Sequence, residues 1–419
     1  MAHRNDCDVL VVGAGPVGLA AALALTQKGL SVQIVDESWR TAGRSYALAL
    51  HGSTLRALEK LGSIEPLLSQ GQQVTTMELF DGQMPAGSLN LARADDEFPF
   101  VLVLPQQALE DALQRQLAGQ KVRVQWNDRV SALDLTASGC SGTIEHLEKY
   151  SGGYSVARTE WLVQSTRAIR CGYVLGCDGH RSVVRRALGL EFVEQGRPVL
   201  YAVFELSAPE VHIDTIRVVF DAQGPSVLWP LGQDHYRWSF ALDDRLSLDL
   251  ERAKSRLAVQ ADGEILPHLD RPRLLQLIAE RAPWFSDRIR ELEWSVLVRF
   301  ERRLTTAAGK ERAFLAGDAA HLSAPIGVQS MNVGIQEAVD ISERICCVVR
   351  EGAPASLLDD YAQNQPAAWR KQWQTAVEPG PKAAAWVTKY AEQICGVLPA
   401  TGPGLDKLLG ELGLRRSDA

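Results

Sequence analysis

Asp8-Val9-Leu10-Val11-Val12-Gly13-Ala14-Gly15-Pro16-Val17-Gly18-Leu19 is a short β-branched apolar run that passes through glycines into an Ala/Leu-rich stretch reaching Lys28. The run reads as a strand, the stretch as a helix, and Val32 to Val35, after Gly29, as a second strand. The result is a βαβ unit. Its glycines Gly13, Gly15 and Gly18 are spaced G-x-G-x-x-G. The first permits a tight turn, the second lets a pyrophosphate approach the backbone, and the third allows helix and strand to pack closely. The helix start, with Pro16 and Val17, offers free N–H groups and the positive end of a dipole to phosphates. Asp36 ends the second strand, 23 positions after Gly13, where a carboxylate can accept hydrogen bonds from a ribose. The loop alone does not separate FAD from NAD.

The full 419 residues, with 46% hydrophobic and 23% charged content, predict a folded chain of at least two lobes. A formal charge of −7 with scattered Lys and Arg argues against nucleic acid as a partner. Seven cysteines without metal-ligand spacing predict reduced thiols, no metal site and a cytoplasmic protein. The apolar stretch from Val9 to Leu25 starts beside Asp6 and Asp8 and is interrupted by glycines, unlike a signal peptide, and no run approaches the length of a transmembrane segment.

Two remote segments repeat the theme of a strand ending in an acid and a glycine. Tyr173-Val-Leu-Gly-Cys-Asp178-Gly179 leads into a helix start near Arg185, though a plain turn with a surface cation has the same signature. Arg312-Ala-Phe-Leu-Ala316 runs into Gly317-Asp318-Ala-Ala-His321 and then Pro325-Ile-Gly327-Val328-Gln329-Ser330-Met331-Asn332, before helical apolar spacing from Val333 onward. There a carboxylate could bind a ribityl hydroxyl, and a helix N-terminus could stabilise negative charge on a reduced flavin. Asp318 as a simple cap is the alternative.

Together the three segments resemble the single-component (class A) flavoprotein hydroxylases, typified by p-hydroxybenzoate hydroxylase and the ubiquinone-biosynthesis hydroxylases, with order and spacing matched over most of the chain. The resemblance implies an α/β fold: a Rossmann-like FAD-binding domain, an antiparallel β-sheet substrate domain and C-terminal helices. It places the ADP half of FAD at Gly13, Gly15, Gly18 and Asp36, the pyrophosphate and NAD(P)H path at Asp178 and Gly179, and the ribityl and flavin at Gly317 and Asp318. Arg44, in Arg44-Ser-Tyr-Ala-Leu-Ala-Leu-His51, resembles an arginine near the cofactor phosphates, and Gln106 a glutamine opening a helix beside the cofactor. Val130, Pro325 at the reactive flavin edge, and Gly327 to Asn332 complete the implied contacts. The chain departs from the family pattern at Val328 and Ser330, where small residues are usual, at Glu337, where Asp is usual, and at Glu37, where an arginine often stands. A serine forced to φ > 0 at position 330 would be strained by about 1 kcal/mol or more.

The implied division is residues 1–75, 106–190 and 299–350 for the FAD-binding domain, 76–105 and 191–298 for the substrate domain, and 351–419 for C-terminal helices, the last of these from Leu405 with a frayed tail from Arg415. Strands at Val218–Phe220, Val227–Leu231 and Tyr236–Phe240 make Trp229 and Trp238 either pocket walls or ordinary sheet packing. Arg93-Ala-Asp-Asp-Glu97 reads as a solvated connection or a mobile rim. The implied activity is monooxygenation of an aromatic, polyketide-like or prenylated small molecule: NADH or NADPH reduces FAD, O2 adds at the flavin C4a to give a hydroperoxide, and one oxygen is transferred as a hydroxyl or epoxide. A flavin reductase or dehydrogenase, or a non-oxygenating protein that shields an intermediate, are the alternatives.

Overall fold

The computed structural model describes residues 5–40, 49–136, 139–152, 158–242, 269–285, 288–323, 327 and 329–417. Arg44, Pro325 and Val328 lie outside them. The helices are α1 (Pro16–Gln27), α2 (Gly52–Lys60), α3 (Glu65–Gln70), α4 (Gln106–Gly119), α5 (Val183–Ala187), α6 (Arg271–Arg281), α7 (Gln329–Arg350), α8 (Ser356–Gln374), α9 (Ala385–Lys389), α10 (Ala391–Val397) and α11 (Gly402–Glu411).

The opening stretch forms the central strand, Cys7–Val12, flanked in parallel by Val32–Asp36 on one side and the long strand Arg158–Gly176 on the other. Ala313–Leu315 continues the sheet in parallel beyond Arg158–Gly176. The strands that end in Gly13, in Cys177-Asp178 and in Gly317-Asp318 are therefore neighbours, and their carboxyl ends open on one edge, where doubly wound sheets bind ligands. One face of this sheet packs Val9 and Val11 against α1, α4 and α7 through Leu19, Leu23, Leu113, Ile335, Ala338 and Ile341. Such near-continuous apolar runs are expected of parallel strands covered on both faces. Leu10, Val12, Val130 and Val174 fill the other face. Helix α1 stops at Lys28 because Gly29 takes φ +80°.

The second sheet has the order Glu291–Phe300, Val199–Ser207, His235–Leu242, Ser226–Gly232, Ile216–Phe220, Thr76–Asp81 and Met84–Asn90. It is mixed rather than purely antiparallel: Ile216–Phe220 pairs in parallel with Thr76–Asp81. The hairpin from Thr76 to Asn90 arrives from a distant part of the chain, so no tight turn dictates its direction. Elsewhere a local turn does: Gln233 (φ 50°) and Asp234 (φ 64°) close the hairpin after Gly232. Alternation sends Trp238, Phe240 and Leu228 to one face, under Leu274, Leu277 and Ile278 of α6. Trp229, Tyr201, Val203 and Val218 go to the other, under α10 and α11 through Ile394, Val397, Leu405 and Leu408.

A small sheet of Ala49–Leu50, Val101–Val103 and Gln72–Val74 joins the two cores, sending Leu50 and Leu102 into one and Ala49, Val74, Val101 and Val103 into the other. The tail is not frayed at Arg415 and Arg416: Leu414–Arg416 pairs with Val377–Pro379, whose backbone groups would otherwise stand unpaired.

Candidate active site

Backbone contact makes glycine obligatory at two points of the first loop. Gly13 takes φ +99°, and a Cβ there would lie 2.3 Å from the Cys177 carbonyl oxygen. One on Gly18 would lie 1.9 Å from the Gly13 carbonyl oxygen. Around a Cβ at Gly15, by contrast, nothing lies within 4 Å. This open side faces the first turn of α1, which has Pro16 in its first turn, no acidic residue and no side-chain cap. Its uncapped N–H groups and dipole suit a pyrophosphate. Asp36 braces the loop, accepting from Ala14 N (2.7 Å) and Ser38 N (2.8 Å). Glu37 beside it is exposed.

Asp178 sits against this loop, since its backbone N lies 2.8 Å from the position of a Gly13 Cβ. Its Oδ2 accepts from Val183 N (2.6 Å) and Val184 N (3.2 Å), starting α5. Its Oδ1 is buried without a partner. Burial pushes this carboxyl up, against the pull of hydrogen bonds from Ser182 and the backbone at Val184 and Val183. An orphaned carboxylate oxygen beside an open, positive-φ glycine (Gly179, φ +70°) is what a hydroxyl donor of a bound cofactor would satisfy. Arg185 is no surface cation. It is buried, donates to Ala319 O (2.7 Å) and His180 O (2.7 Å), and stacks on Phe192, tying the second segment to the third.

Gly317 takes φ +62°, and its missing Cβ would meet Val17 of the first loop at 2.9 Å, while that of Gly334 would lie 2.8 Å from the Gly317 Cα. The first and third segments and α7 thus meet at contact distance. Behind them Glu337, 3% exposed, acts as a hub. It accepts from Gly317 N (3.0 Å), His321 Nε2 (2.8 Å) and Trp369 Nε1 (2.9 Å), and the His321 ring packs 4.1 Å from that of Trp369. Asp318 is exposed and accepts from Ser330 Oγ (2.7 Å). Ser330 carries no positive-φ strain: it lies in the first turn of α7, so the expected penalty does not arise.

The remaining expected positions spread around this centre. Gln106 opens α4 and donates to Glu110 (2.7 Å). Val130 is buried in the sheet core, where its strand pairs it with Ile144. Gln329 at the start of α7 accepts from Gln372 Nε2 (3.2 Å). Met331 packs against the cores of both lobes. Asn332 is fully buried, accepting from His51 N (2.8 Å) and donating to Ala49 O (2.9 Å). Trp238 is 0% exposed between Phe240, Trp284 and Phe285 on the face under α6, a packing role rather than a pocket wall. Trp229 is 2% exposed beneath the C-terminal helices.

Sequence reasoning passed over His51, Arg185, His321 and Trp369 as site-builders. His51 is buried, and its Nε2 lies 2.9 Å from the Gly327 carbonyl oxygen. A carbonyl only accepts, so Nε2 carries the hydrogen. Burial pushes this imidazole down to about 4, against the opposing pull of Gly327. His51 also lines a cavity of about 400 Å3 with Arg56, Leu91, Asp95, Phe100, Val101, Pro399, Thr401 and Lys407 among its walls. The Arg93–Glu97 loop is thus part of this wall: Asp95 is buried, accepts from Glu97 N and Phe98 N (both 3.0 Å) and pairs with Arg56. Among the described residues no group of His, Cys, Asp and Glu is placed to hold a metal ion, and no helix is long and apolar enough to cross a membrane.

Residues 6–375 match the FAD binding domain family. The chain is 30% identical over 359 residues to a 6-methylpretetramide 4-monooxygenase of Streptomyces rimosus, covering 84% of this chain and 58% of that protein. It is 28% identical over 392 residues to a rifampicin monooxygenase of Streptomyces venezuelae, covering 90% and 73%. Among solved structures, p-nitrophenol 4-monooxygenase from Pseudomonas putida superposes with a TM-score of 0.69 at 20% identity, covering 97% of this chain and 96% of that one, which shows a shared fold. Three remote strand ends converging on one open cradle, and a family match that runs across all of them, lead to one conclusion: the chain belongs to the FAD binding domain family.

Proposed function

We propose that this protein is an FAD-dependent monooxygenase that uses NADH or NADPH and O2 to hydroxylate an aromatic, polyketide-like small molecule. The observation that carries this reading is the contact of the Gly13, Asp178 and Gly317 segments around the open side at Gly15. FAD, when bound, supplies electron transfer from the nicotinamide and activation of O2. The chain's own part is binding, orientation and charge. The first turn of α1 would hold the pyrophosphate, Asp36 a ribose hydroxyl and Asp318 a ribityl hydroxyl. The 22-residue helix α7 has no acid in its first turn, so its positive end stays available to negative charge on the reduced ring. Glu337, through Gly317 N, positions the loop that carries Asp318. Relatives named as monooxygenases of 6-methylpretetramide and of rifampicin support a small-molecule substrate, and the resemblance to flavoprotein hydroxylases implies an aromatic or polyketide-like one.

The test is to purify the protein, identify its flavin by absorbance and mass, and measure NADH and NADPH oxidation across phenols and aromatic polyketides. Expected are bound FAD, substrate-stimulated oxidation, and a product carrying one atom from labelled O2. Peroxide formed stoichiometrically with every compound would overturn oxygen transfer in favour of a shielding role. Turnover without O2 would favour a reductase.

A further inference from the structure

We propose that Cys7, Cys140 and Cys171 form a thiol cluster oxidised by hydrogen peroxide, in which Cys171 closes a disulfide with either of the other two. The cluster stands independently of the oxygenase reading.

The three residues are remote in sequence and meet in one transverse row of the first sheet. Cys7, on the central strand, lies opposite Cys171 on its parallel neighbour Arg158–Gly176. On the other edge of that neighbour, Cys140 in the antiparallel strand Gly139–Gly152 lies opposite the same Cys171. All three side chains enter one apolar layer, with Leu10, Ile144, Ile169 and Val174. Paired strands hold opposed Cα atoms about 4.5–5.5 Å apart, inside the roughly 4.4–6.8 Å that a disulfide spans. The thiols are free, and that of Cys171 is hydrogen-bonded to those of Cys7 and Cys140. A buried cysteine is ordinarily an inert, small apolar side chain. Here one sulfur has two others within reach, and only an oxidant is needed to join it to one of them.

The roles divide along the row. Hydrogen bonding from Cys171, ahead of the opposing push of burial, holds the Cys7 and Cys140 thiols below their ordinary range, and the Arg312 guanidinium adds to this at Cys140. The same contacts, with burial, push Cys171 up. The outer two are therefore the thiols that ionise, and the thiolate is the form that attacks peroxide. Cys7, Cys140 and Cys171 are 3%, 4% and 1% exposed, but the exposed Asp6 and Arg170 directly precede Cys7 and Cys171, so a small oxidant has one residue's depth to cross. The Cys7 or Cys140 thiolate displaces hydroxide from hydrogen peroxide to give a sulfenic acid. Cys171 attacks that sulfur, the S–O bond breaks, the S–S bond forms and water leaves. Two thiols lose two electrons and two protons, and one peroxide becomes two waters. The third thiol can then attack the Cys171 sulfur and release its first partner, so the two disulfides interconvert.

The experiment treats the purified chain, reduced with dithiothreitol and desalted, with hydrogen peroxide. Remaining thiols are blocked with N-ethylmaleimide in urea, and disulfides are mapped by mass in the unreduced digest. Expected in the native chain is the loss of two of its seven thiols, reversed by dithiothreitol, with both Cys140–Cys171 and Cys7–Cys171 linked peptides. Cys7→Ser should leave only the first link and Cys140→Ser only the second. Cys171→Ser should give neither, with sulfenic acid trapped by dimedone at Cys7 or Cys140 instead. A native map in which Cys171 joins no disulfide overturns the cluster, and that map decides by itself should serine at a buried position not fold. So does a Cys7–Cys140 bond or a link between chains as the main product, or a two-thiol loss unchanged in Cys171→Ser.

Discussion

The two ends of the inferred cofactor site are built by different means. At the Gly13 end, backbone presses on backbone: missing side chains at Gly13 and Gly18 let a loop, a helix and the Cys177 peptide share a space no Cβ could enter. At the Gly317 end, glycines still permit the approach, but buried side chains hold the result. Glu337 gathers three donors, and Asn332 and His51 pin α7 to the strand Ala49–Leu50 and to Gly327. Steric exclusion is local and absolute; a hydrogen-bonded hub is graded, and one group in it can be changed at a time.

That contrast predicts a descending series of effects. Gly18→Val should be the most severe, because its Cβ has 1.9 Å of room against a carbonyl: no flavin-loaded protein is expected, read by absorbance of the purified chain. A variant that retained full flavin would abolish the contrast.

His51 supplies a pH signature for the Gly317 end. Its folded value of about 4 lies below the ordinary 6.5, so the unfolded chain takes up the proton first. Its contribution is therefore complete above pH 6.5 and is lost as pH falls toward 4, by about 3 kcal/mol in total. Urea titrations from pH 7 to 4 should show a steeper loss in the native chain than in His51→Gln.

Glu337→Gln keeps an acceptor but loses the charge and turns a donor toward the three donors around it, for an expected loss of about 2 kcal/mol and weaker flavin retention. Glu337→Asp should recover part of the flavin retention, measured by dialysis, if the carboxylate acts by positioning Gly317. The smallest effect belongs to Ser330→Ala, which removes one hydrogen bond to an exposed carboxylate and should cost about 0.5 kcal/mol. A large loss there would mean that the exposed edge of the site is as tightly determined as its interior.

The Gly13 end was legible in the chain because its physics is short-ranged. Strand, glycine spacing, helix and terminal acid occur within about thirty residues, and each follows from what a turn, a helix start and a ribose require. Asp178-Gly179 and Gly317-Asp318 were recognisable as strand ends, yet not as neighbours, since only parallel pairing with the strand Cys7–Val12 and its neighbour sets them side by side. Arg185, His321, Trp369 and His51 gave no signal: each acts through one partner far away in sequence, such as Arg185 on Ala319 and His51 on Gly327. Trp238 illustrates the converse. An aromatic in an alternating strand faces one side or the other, and which side is pocket and which is core depends on where α6 and the C-terminal helices come to rest.

The order of residues by itself determined a dinucleotide cradle, the strands around it and the presence of a second, β-rich lobe, because turn sterics and apolar periodicity operate between residues close in the chain. Only long-range contacts bring the three strand ends at Gly13, Asp178 and Gly317 together, set Glu337 and Arg185 to brace them, and bury His51 at the junction. Those properties are set by burial and by contacts between remote segments, which become defined when the two lobes close on each other.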